Sequence, residues 1–387
     1  MAEDENPIRS VGIVTPADFS FGATDADALP LDSGEKLRNV NIRYETYGTL
    51  SENADNAILV EHALTGDAHL AGYHSVNDKK PGWWDTMVGP GKPFDTDKFF
   101  IVCSNIIGGC SGSTGPRSIN PETGKAYNLS FPVITVGDMV RAQKRLMDHL
   151  KIKKWLCVAG GSMGGMQAIQ WGIEFPEHVN SIIAIATTSR VSPQFIAFDW
   201  IGREAIMGDP NFNNGEYVEQ PQKGLAIARM LAHITYLSDE SMRRKFGRSL
   251  QHSADYSFDF DKDFQIESYL EHQGTRFVER FDANCYLYIT RATDYFDVSD
   301  SADGDLAKAF EKMKHARFLV VSFTSDWLFP VYQSRELVQA LLKNGIDTTY
   351  CNIESSYGHD AFLLETETLS TLVSGFLSSC HLEGRKS

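Results

Sequence analysis

The sequence predicts an α/β protein built on a mostly parallel, doubly wound sheet. Strand-like apolar runs alternate with helix-like runs, the alternation stops over one long central segment, and a glycine-flanked serine lies where a strand gives way to a helix. The alternating segments are strands 58–60 and 99–102, helix 136–150, strand 155–159, a helix from Met166, and strands 181–186, 318–323 and 348–353. Residues 40–44 alternate between apolar and polar types, which predicts an antiparallel edge strand.

The central segment without alternation predicts an insertion. We expect residues 1–188 and 306–387 to form the α/β core and residues 189–305 to form a helical lid. A second independent domain is the alternative. No Pro/Gly-rich linker bounds the segment, and strand-like runs of the same type resume after it, so an insertion above the sheet is favoured.

Composition limits the possible partners and the compartment. The 387 residues carry a formal net charge of −15, which disfavours a nucleic-acid partner. No segment has the length of apolar residues that a membrane span needs, and the beginning of the chain does not resemble a secretion signal. Six scattered cysteines suggest neither a disulfide framework nor zinc ligation. We therefore expect a cytoplasmic protein that binds small molecules and neither membranes nor nucleic acids.

A nucleophile elbow is predicted at residues 160–165, which read Gly-Gly-Ser-Met-Gly-Gly. In this motif a serine sits on a sharp strand-to-helix turn, and glycines two before and two after it permit close backbone contacts. Ser162 is therefore the candidate nucleophile.

A serine hydroxyl needs a base and a carboxylate that orients the base, which follow the serine in the order Asp, His in this type of fold. Asp326 follows strand 318–323 and is the candidate carboxylate, although a turn or helix cap is the alternative for it. His359 lies in the loop after strand 348–353 and is the candidate base. Asp360, beside it, could either cap the final helix or contact a substrate ammonium.

Acyl chemistry also needs two NH donors for the developing oxyanion. One comes from the residue after the nucleophile, here Met163, and we expect the other from Leu64 in the loop after strand 58–60. His62 and His69 of that loop do not match a standard zinc spacing, so no metal is expected.

Together the motifs resemble the homoserine O-acetyltransferase family. The resemblance extends in order from about Val11 to the C-terminal helix. It rests on segments 65–69 (TGDAH), 81–85 (PGWWD), 89–92 (GPGK), 108–110 (GGC), 160–167 (GGSMGGMQ), 233–240 (HITYLSDE), 280–284 (RFDAN) and 358–360 (GHD). It implies an α/β-hydrolase fold with a helical lid, a homodimer built through the lid, and a role in methionine biosynthesis.

The resemblance also implies roles for individual residues. It supports Ser162, Asp326 and His359 as a catalytic triad, and it assigns the amino-acid carboxylate to Arg203, which a guanidinium can bind in bidentate fashion. Tyr236 and Asp360 are then expected to contact the acceptor. The chain departs from the family pattern at residues 199–200, which read Asp-Trp where relatives carry Asn-Glu.

The predicted reaction is a double displacement with ping-pong kinetics. Ser162 takes an acetyl group from acetyl-coenzyme A, which acts as co-substrate with no permanently bound cofactor, and the hydroxyl of L-homoserine then removes it. A succinyl donor, a serine acceptor, and ester or thioester hydrolysis are the alternatives. A non-catalytic interaction protein is a further alternative, but it would not need an intact elbow and base.

Overall fold

The computed structural model describes residues 10–251 and 255–384. The strands are β1 (Ala17–Phe21), β2 (Leu29–Pro30), β3 (Lys36–Leu37), β4 (Val40–Tyr47), β5 (Ala57–Glu61), β6 (Val88–Gly89), β7 (Phe94–Asp95), β8 (Phe100–Ser104), β9 (Cys157–Gly161), β10 (Ser181–Ile185), β11 (Arg317–Phe323) and β12 (Asp347–Ile353). The α helices are α1 (Val136–His149), α2 (Met163–Glu174), α3 (Pro193–Met207), α4 (Gln222–Tyr236), α5 (Asp239–Lys245), α6 (Gln265–Val278), α7 (Ala283–Asp294), α8 (Leu306–Ala309), α9 (Val331–Lys343), α10 (Ala361–Leu364) and α11 (Thr366–Gly384).

Eight of these strands form one mixed sheet in the order β1-β4-β8-β5-β9-β10-β11-β12. The strands from β8 to β12 pair in parallel, while β1 with β4 and β4 with β8 pair antiparallel. The predicted fold class, a mostly parallel α/β sheet, is confirmed.

The position predicted for residues 40–44 is wrong. They belong to β4, which is antiparallel as predicted but lies inside the sheet, because β1 pairs along its outer side from Phe21 opposite Val40 to Ala17 opposite Tyr44. The alternating pattern of β4 reports that one of its faces is more buried than the other. This alternation does not indicate whether another strand pairs along the outer side of β4.

The central strands are buried on both faces. Every residue of β5, β9 and β10 is buried. Successive side chains of β9 enter different clusters: Val158 packs in the larger apolar cluster, whereas Cys157 and Ala159 pack in the other. Since each large aliphatic side chain buried in this way contributes about 1.5–3 kcal/mol, the centre of the sheet is a rigid base for the loops at its edge.

The helices from α3 to α7 lie between β10 and β11 along the chain, and within the described residues this segment adds no strand to the eight-stranded sheet. Helix α4 packs against both α3 and α6. The exact limits of the predicted lid, residues 189 and 305, stay a prediction. Across residues 10–251 and 255–384, no helix combines the length and apolarity that crossing a bilayer would require.

Candidate active site

The candidate residues follow the carboxyl ends of parallel strands. Ser162 comes directly after β9, Leu64 follows β5, Asp326 follows β11, and His359 follows β12. Because parallel strands end at one edge of the sheet, the topology brings these distant segments of the chain together.

Ser162 adopts a backbone conformation that side chains rarely take. It lies between the end of β9 and the start of α2 with φ 58° and ψ −126°. Its NH donates to the carbonyl oxygen of Ile185 at 3.0 Å, and its carbonyl oxygen accepts from Thr187 Oγ1 at 2.8 Å. Ile185 at the end of β10 and Thr187 just after it thus stabilise a backbone conformation that by itself costs about 1–3 kcal/mol.

Two glycines let helix α2 approach the sheet this closely. A Cβ on Gly160 would overlap the backbone of Gly164, and a Cβ on Gly164 would overlap the carbonyl group of Glu61. Side chains at these positions would push α2 away from β5 and β9 and would displace Ser162.

Asp326 and His359 are joined directly. Nδ1 of His359 lies 2.8 Å from Oδ2 of Asp326, and both side chains are buried. The other carboxylate oxygen, Oδ1, accepts from the backbone NH groups of Leu328 at 3.0 Å and Phe329 at 2.9 Å. Asp326 therefore stabilises its own turn and also orients the imidazole, so the two interpretations of this residue are compatible.

Ser162 lies where two cavities meet. The larger, about 270 Å³, is also lined by His359, so the candidate nucleophile and the candidate base face one cavity. The smaller, about 40 Å³, is lined by Ser162, Met163 and Leu64 together with mainly apolar side chains. Met163 is the first residue of α2, so its NH has no acceptor within the helix. Leu64 and Met163, the residues predicted to donate NH groups to the oxyanion, thus line the same cavity as Ser162.

Asp360 and Tyr236 also line the larger cavity. Although Asp360 directly precedes α10, its carboxylate makes no capping hydrogen bond there, so the cavity is the better account of its position. Burial raises the pKa of Asp360, while the charges of His359 and Arg229 oppose that rise. The ring of Tyr236 lies 5.9 Å from that of His359, and burial raises the pKa of its hydroxyl.

Arg203 is not among the residues that line either cavity. Its guanidinium is buried and pairs with Asp294 of α7 at 2.5 Å. The motif that contains Arg203 identifies its helix but not the face on which the side chain lies. In the structure that face is directed towards α7, and the role suggested for Arg203 stays a prediction.

Three basic residues of the larger cavity were given no role by the sequence analysis: Arg229, His233 and Arg280. Arg229 and His233 of α4 line the larger cavity. Within the described part of the chain, Arg229 forms no ion pair with a carboxylate; its nearest polar partner is Thr65 Oγ1 at 3.4 Å. His233 is buried, and burial, together with the charges of Arg229, Lys245 and Arg280, lowers its pKa to about 3. Helical spacing could have found Arg229, since it lies seven residues before Tyr236 and so on the same face.

The buried carboxyl group of Glu61 lies at the end of β5, close to the strand-to-helix turn that contains Ser162. Glu61 at the end of β5 is fully buried, and Gln143 Nε2 donates to its Oε2 at 2.8 Å. Burial raises the pKa of Glu61 to about 8. Burial therefore favours the neutral form of this side chain in the folded protein.

A serine on a strand-to-helix turn, in a sheet of this order and beside a His-Asp pair, defines an enzyme of the α/β-hydrolase fold class. Residues 56–366 match the family model described as alpha/beta hydrolase fold.

The curated relatives narrow this class. The chain is 56% identical over 358 residues to the homoserine O-acetyltransferase of Methanohalobium evestigatum, covering 92% of this chain and 72% of the relative. It is 53% identical over 381 residues to that of Solidesulfovibrio magneticus, covering 97% and 96% of the two chains. The chain belongs to the homoserine O-acetyltransferase family and is an enzyme of the acyltransferase class.

Solved structures agree on the fold. The crystal structure of homoserine O-acetyltransferase from Bacillus anthracis superposes with a TM-score of 0.88 at 29% identity, covering 94% of this chain and 98% of that one. Esterase E22 superposes with a TM-score of 0.87 at 30% identity, covering 94% and 100%. Proteins named as transferases and as esterases therefore share this architecture.

Proposed function

We propose that this enzyme transfers the acetyl group of acetyl-coenzyme A to the hydroxyl of L-homoserine. Family membership supports the proposal. The observation that carries it is the position of Ser162 between a small apolar cavity and a larger cavity that contains both a guanidinium and a carboxylate.

The first half-reaction forms an acyl-enzyme. His359 takes the hydroxyl proton of Ser162, and the Ser162 oxygen attacks the thioester carbon. The NH groups of Leu64 and Met163 stabilise the oxyanion that develops. When the carbon–sulfur bond breaks, coenzyme A leaves as the thiol with the proton from His359, and the acetyl group remains as an ester on Ser162.

The second half-reaction uses the same groups in reverse order. His359 takes the proton of the homoserine hydroxyl, whose oxygen attacks the acetyl carbon. The bond to Ser162 then breaks, His359 returns the proton to the serine oxygen, and the acetylated amino acid leaves. Because coenzyme A departs before homoserine reacts, the kinetics are ping-pong.

Charges in the larger cavity match an amino acid. The guanidinium of Arg229 suits the carboxylate of homoserine, and the carboxylate of Asp360 suits its ammonium. Arg229 takes the role that the sequence suggested for Arg203, since it lies in the cavity with Ser162 and has no acidic partner among the described residues. Arg280 lines the same cavity, but it is more exposed than Arg229 and donates to the carbonyl oxygen of Thr65. Serine, held by the same two groups, has a hydroxyl one methylene closer to its head group and farther from the acyl-enzyme.

The size of the smaller cavity favours acetyl over succinyl. A volume of about 40 Å³ corresponds to only a few water molecules, which accommodates a methyl group better than a chain ending in a second carboxylate. Its lining includes Asp199 and no cation. Burial and the nearby charge of Asp294 raise the pKa of Asp199 well above its ordinary value, and the cavity wall contains no positive charge to balance the second carboxylate of a succinyl group.

Hydrolysis is the second candidate, because esterase E22 has the same fold. An acceptor hydroxyl held at its head group gains an effective molarity of about 10⁵ M or more when aligned, far above that of water. The test measures thiol release from acetyl-coenzyme A and from succinyl-coenzyme A, each with and without homoserine or serine. We expect rapid release only with acetyl-coenzyme A and homoserine. Thiol release that is independent of the amino acid would establish a hydrolase instead.

We also propose that the enzyme acts in the cytoplasm as a homodimer that assembles through the lid. Helix α3 supports this assembly because Ile196, Trp200, Ile201 and Met207 are large apolar side chains that a monomer would leave exposed. Light scattering should give twice the chain mass, and Ile201→Glu should shift it to the monomer. A monomeric wild-type enzyme would contradict the assembly without affecting the proposed reaction.

A further inference from the structure

A cluster of metal-ligating side chains lies outside the active site. Glu45 of β4 contacts His69 and His74, which follow β5. Oε2 of Glu45 lies 3.0 Å from Nδ1 of His69, and Oε1 lies 2.6 Å from Nε2 of His74. None of the three residues is among those that line the two cavities beside Ser162.

We propose that Glu45, His69 and His74 form a binding site for a divalent transition-metal ion of the Zn²⁺ type. Each residue offers one ligand atom, and these atoms all lie within 4.8 Å of one another. Bonds of about 2.0–2.2 Å around a tetrahedral zinc ion separate its ligand atoms by about 3.3 Å, so only small side-chain shifts are needed. Two imidazoles and a carboxylate favour zinc, cobalt or nickel over magnesium or calcium.

The groups around Glu45 favour the binding of a cation by its carboxylate. Glu45 is buried, and its carboxylate lies within hydrogen-bond distance of His69, Tyr47 and His74. In the described part of the chain, the ion-pair partners of Glu45 are these two histidines, with no lysine or arginine. A bound ion would replace the two ring protons directed at Glu45 and would supply a permanent positive charge.

A second layer of contacts holds the ligands in place. The Tyr47 hydroxyl donates to Oε2 of Glu45 at 2.7 Å and accepts from the NH of Leu70 at 2.8 Å. The NH of His69 donates to Asp67 at 3.0 Å, and the NH of His74 donates to Asp78 at 2.9 Å. Such outer contacts orient metal ligands, and two further carboxylates make the local potential more negative.

The cluster also has an entry path. The side chain of His74 is 44% exposed, whereas that of Glu45 is 2% exposed. An ion can therefore reach His74 from solvent, and a water molecule can take the fourth position.

The sequence analysis predicted no metal site because His62 and His69, the two histidines that it considered as ligands, do not have a standard zinc spacing. In the structure His62 points elsewhere: its Nδ1 lies 2.8 Å from the carbonyl oxygen of Ala63, and its Nε2 accepts from the NH of Ile106 at 3.4 Å. His69 instead lies beside His74, and the third proposed ligand is Glu45 of β4. The spacing of these residues along the sequence did not indicate that they meet. The ion would tie β4 to the segment between Leu64 and Trp83, both of which line the larger cavity.

The test uses untagged, chelator-treated full-length enzyme titrated with Zn²⁺ by calorimetry, with Mg²⁺ as a comparison. Co²⁺ serves as a spectroscopic probe, because its visible absorption reports a low-symmetry nitrogen and oxygen site. His74→Ala removes the exposed ligand, which should not disturb folding. His272→Ala, an exposed histidine on α6, is the matched control.

We expect one Zn²⁺ per chain, no heat with Mg²⁺ at the same concentration, and a Zn²⁺-dependent rise in melting temperature. His74→Ala should weaken Zn²⁺ binding at least about tenfold and abolish the Co²⁺ absorption, and His272→Ala should change neither. Absence of Zn²⁺ binding to the wild type, or equal binding by the wild type and His74→Ala, would overturn the proposal.

Discussion

Asp326 and His359 share a hydrogen bond of 2.8 Å across a separation of 33 positions in the chain. The two residues follow the neighbouring parallel strands β11 and β12, whose register places Phe323 opposite Ile353. The pair therefore depends on the topology of the sheet. Its Nδ1 contact leaves Nε2 of the imidazole as the nitrogen available to a reacting group.

Asp326→Asn should separate the catalytic role of this residue from its structural role. The variant keeps an oxygen for the NH groups of Leu328 and Phe329, but its amide can donate to Nδ1 and so favours the wrong tautomer of His359. We expect kcat to fall by about 10³–10⁴-fold with little change in melting temperature. Steady-state kinetics and thermal unfolding check this, and a variant with near-normal kcat would argue against Asp326 as the orienting group.

Gly164→Ala tests the close approach of α2 to the sheet. The added Cβ would overlap the carbonyl group of Glu61, so the helix must shift, and we expect a loss of stability of about 1–3 kcal/mol together with most of the activity. Gly375→Ala in α11 is the control, because its Cβ would meet open space. That change should be neutral or stabilise by up to about 1 kcal/mol. Urea unfolding of both variants distinguishes a steric effect from a general effect of replacing glycine.

Arg229→Ala tests the proposed carboxylate contact. We expect kcat/KM for the acceptor to fall by an amount equivalent to about 2–5 kcal/mol, while the rate at which acetyl-coenzyme A acylates the enzyme stays nearly unchanged. Rapid-mixing measurements of each half-reaction provide the readout. Equal losses in both halves would show that Arg229 acts on something other than the acceptor.

Arg203→Ala provides the contrast. Removing the guanidinium leaves Asp294 buried without its main partner, so we expect a loss of stability of about 3–5 kcal/mol, measured by chemical unfolding. Acceptor KM in the folded fraction should change little. A selective rise in acceptor KM with full stability would instead support the role suggested for Arg203 by the family resemblance.

Glu61 predicts a specific pH dependence of stability. The pKa of Glu61 is about 8 in the folded protein and near 4.5 ordinarily, so between these values the unfolded chain has lost a proton that the folded chain keeps. Its contribution is fully present below about pH 4.5 and falls as pH rises towards 8, by up to about 1.4 kcal/mol per pH unit. Glu61→Gln is neutral at every pH. Its stability relative to wild type should therefore rise from pH 5 to pH 8, and a constant difference would contradict a protonated Glu61.

The sequence was sufficient for the features that local patterns encode. Continuous apolar runs predicted the buried parallel strands, and the glycines around Ser162 predicted the turn, because each depends on residues close together in the chain. The orientation of Arg203 towards α7 and that of Arg229 into the cavity depend on how helices α3, α4 and α7 pack. Motifs report which helix a residue is on but not which neighbour its side chain faces. The same limit concealed the contact between Glu45 and His74.

Intact mass spectrometry after mixing with acetyl-coenzyme A tests the central claim most directly, because that claim is a covalent acetyl group on Ser162. The account predicts a mass increase of one acetyl group on the wild type, its removal on adding homoserine, and no increase on Ser162→Ala. An acetyl adduct that persists on Ser162→Ala, or an adduct on the wild type that homoserine does not discharge, would contradict it.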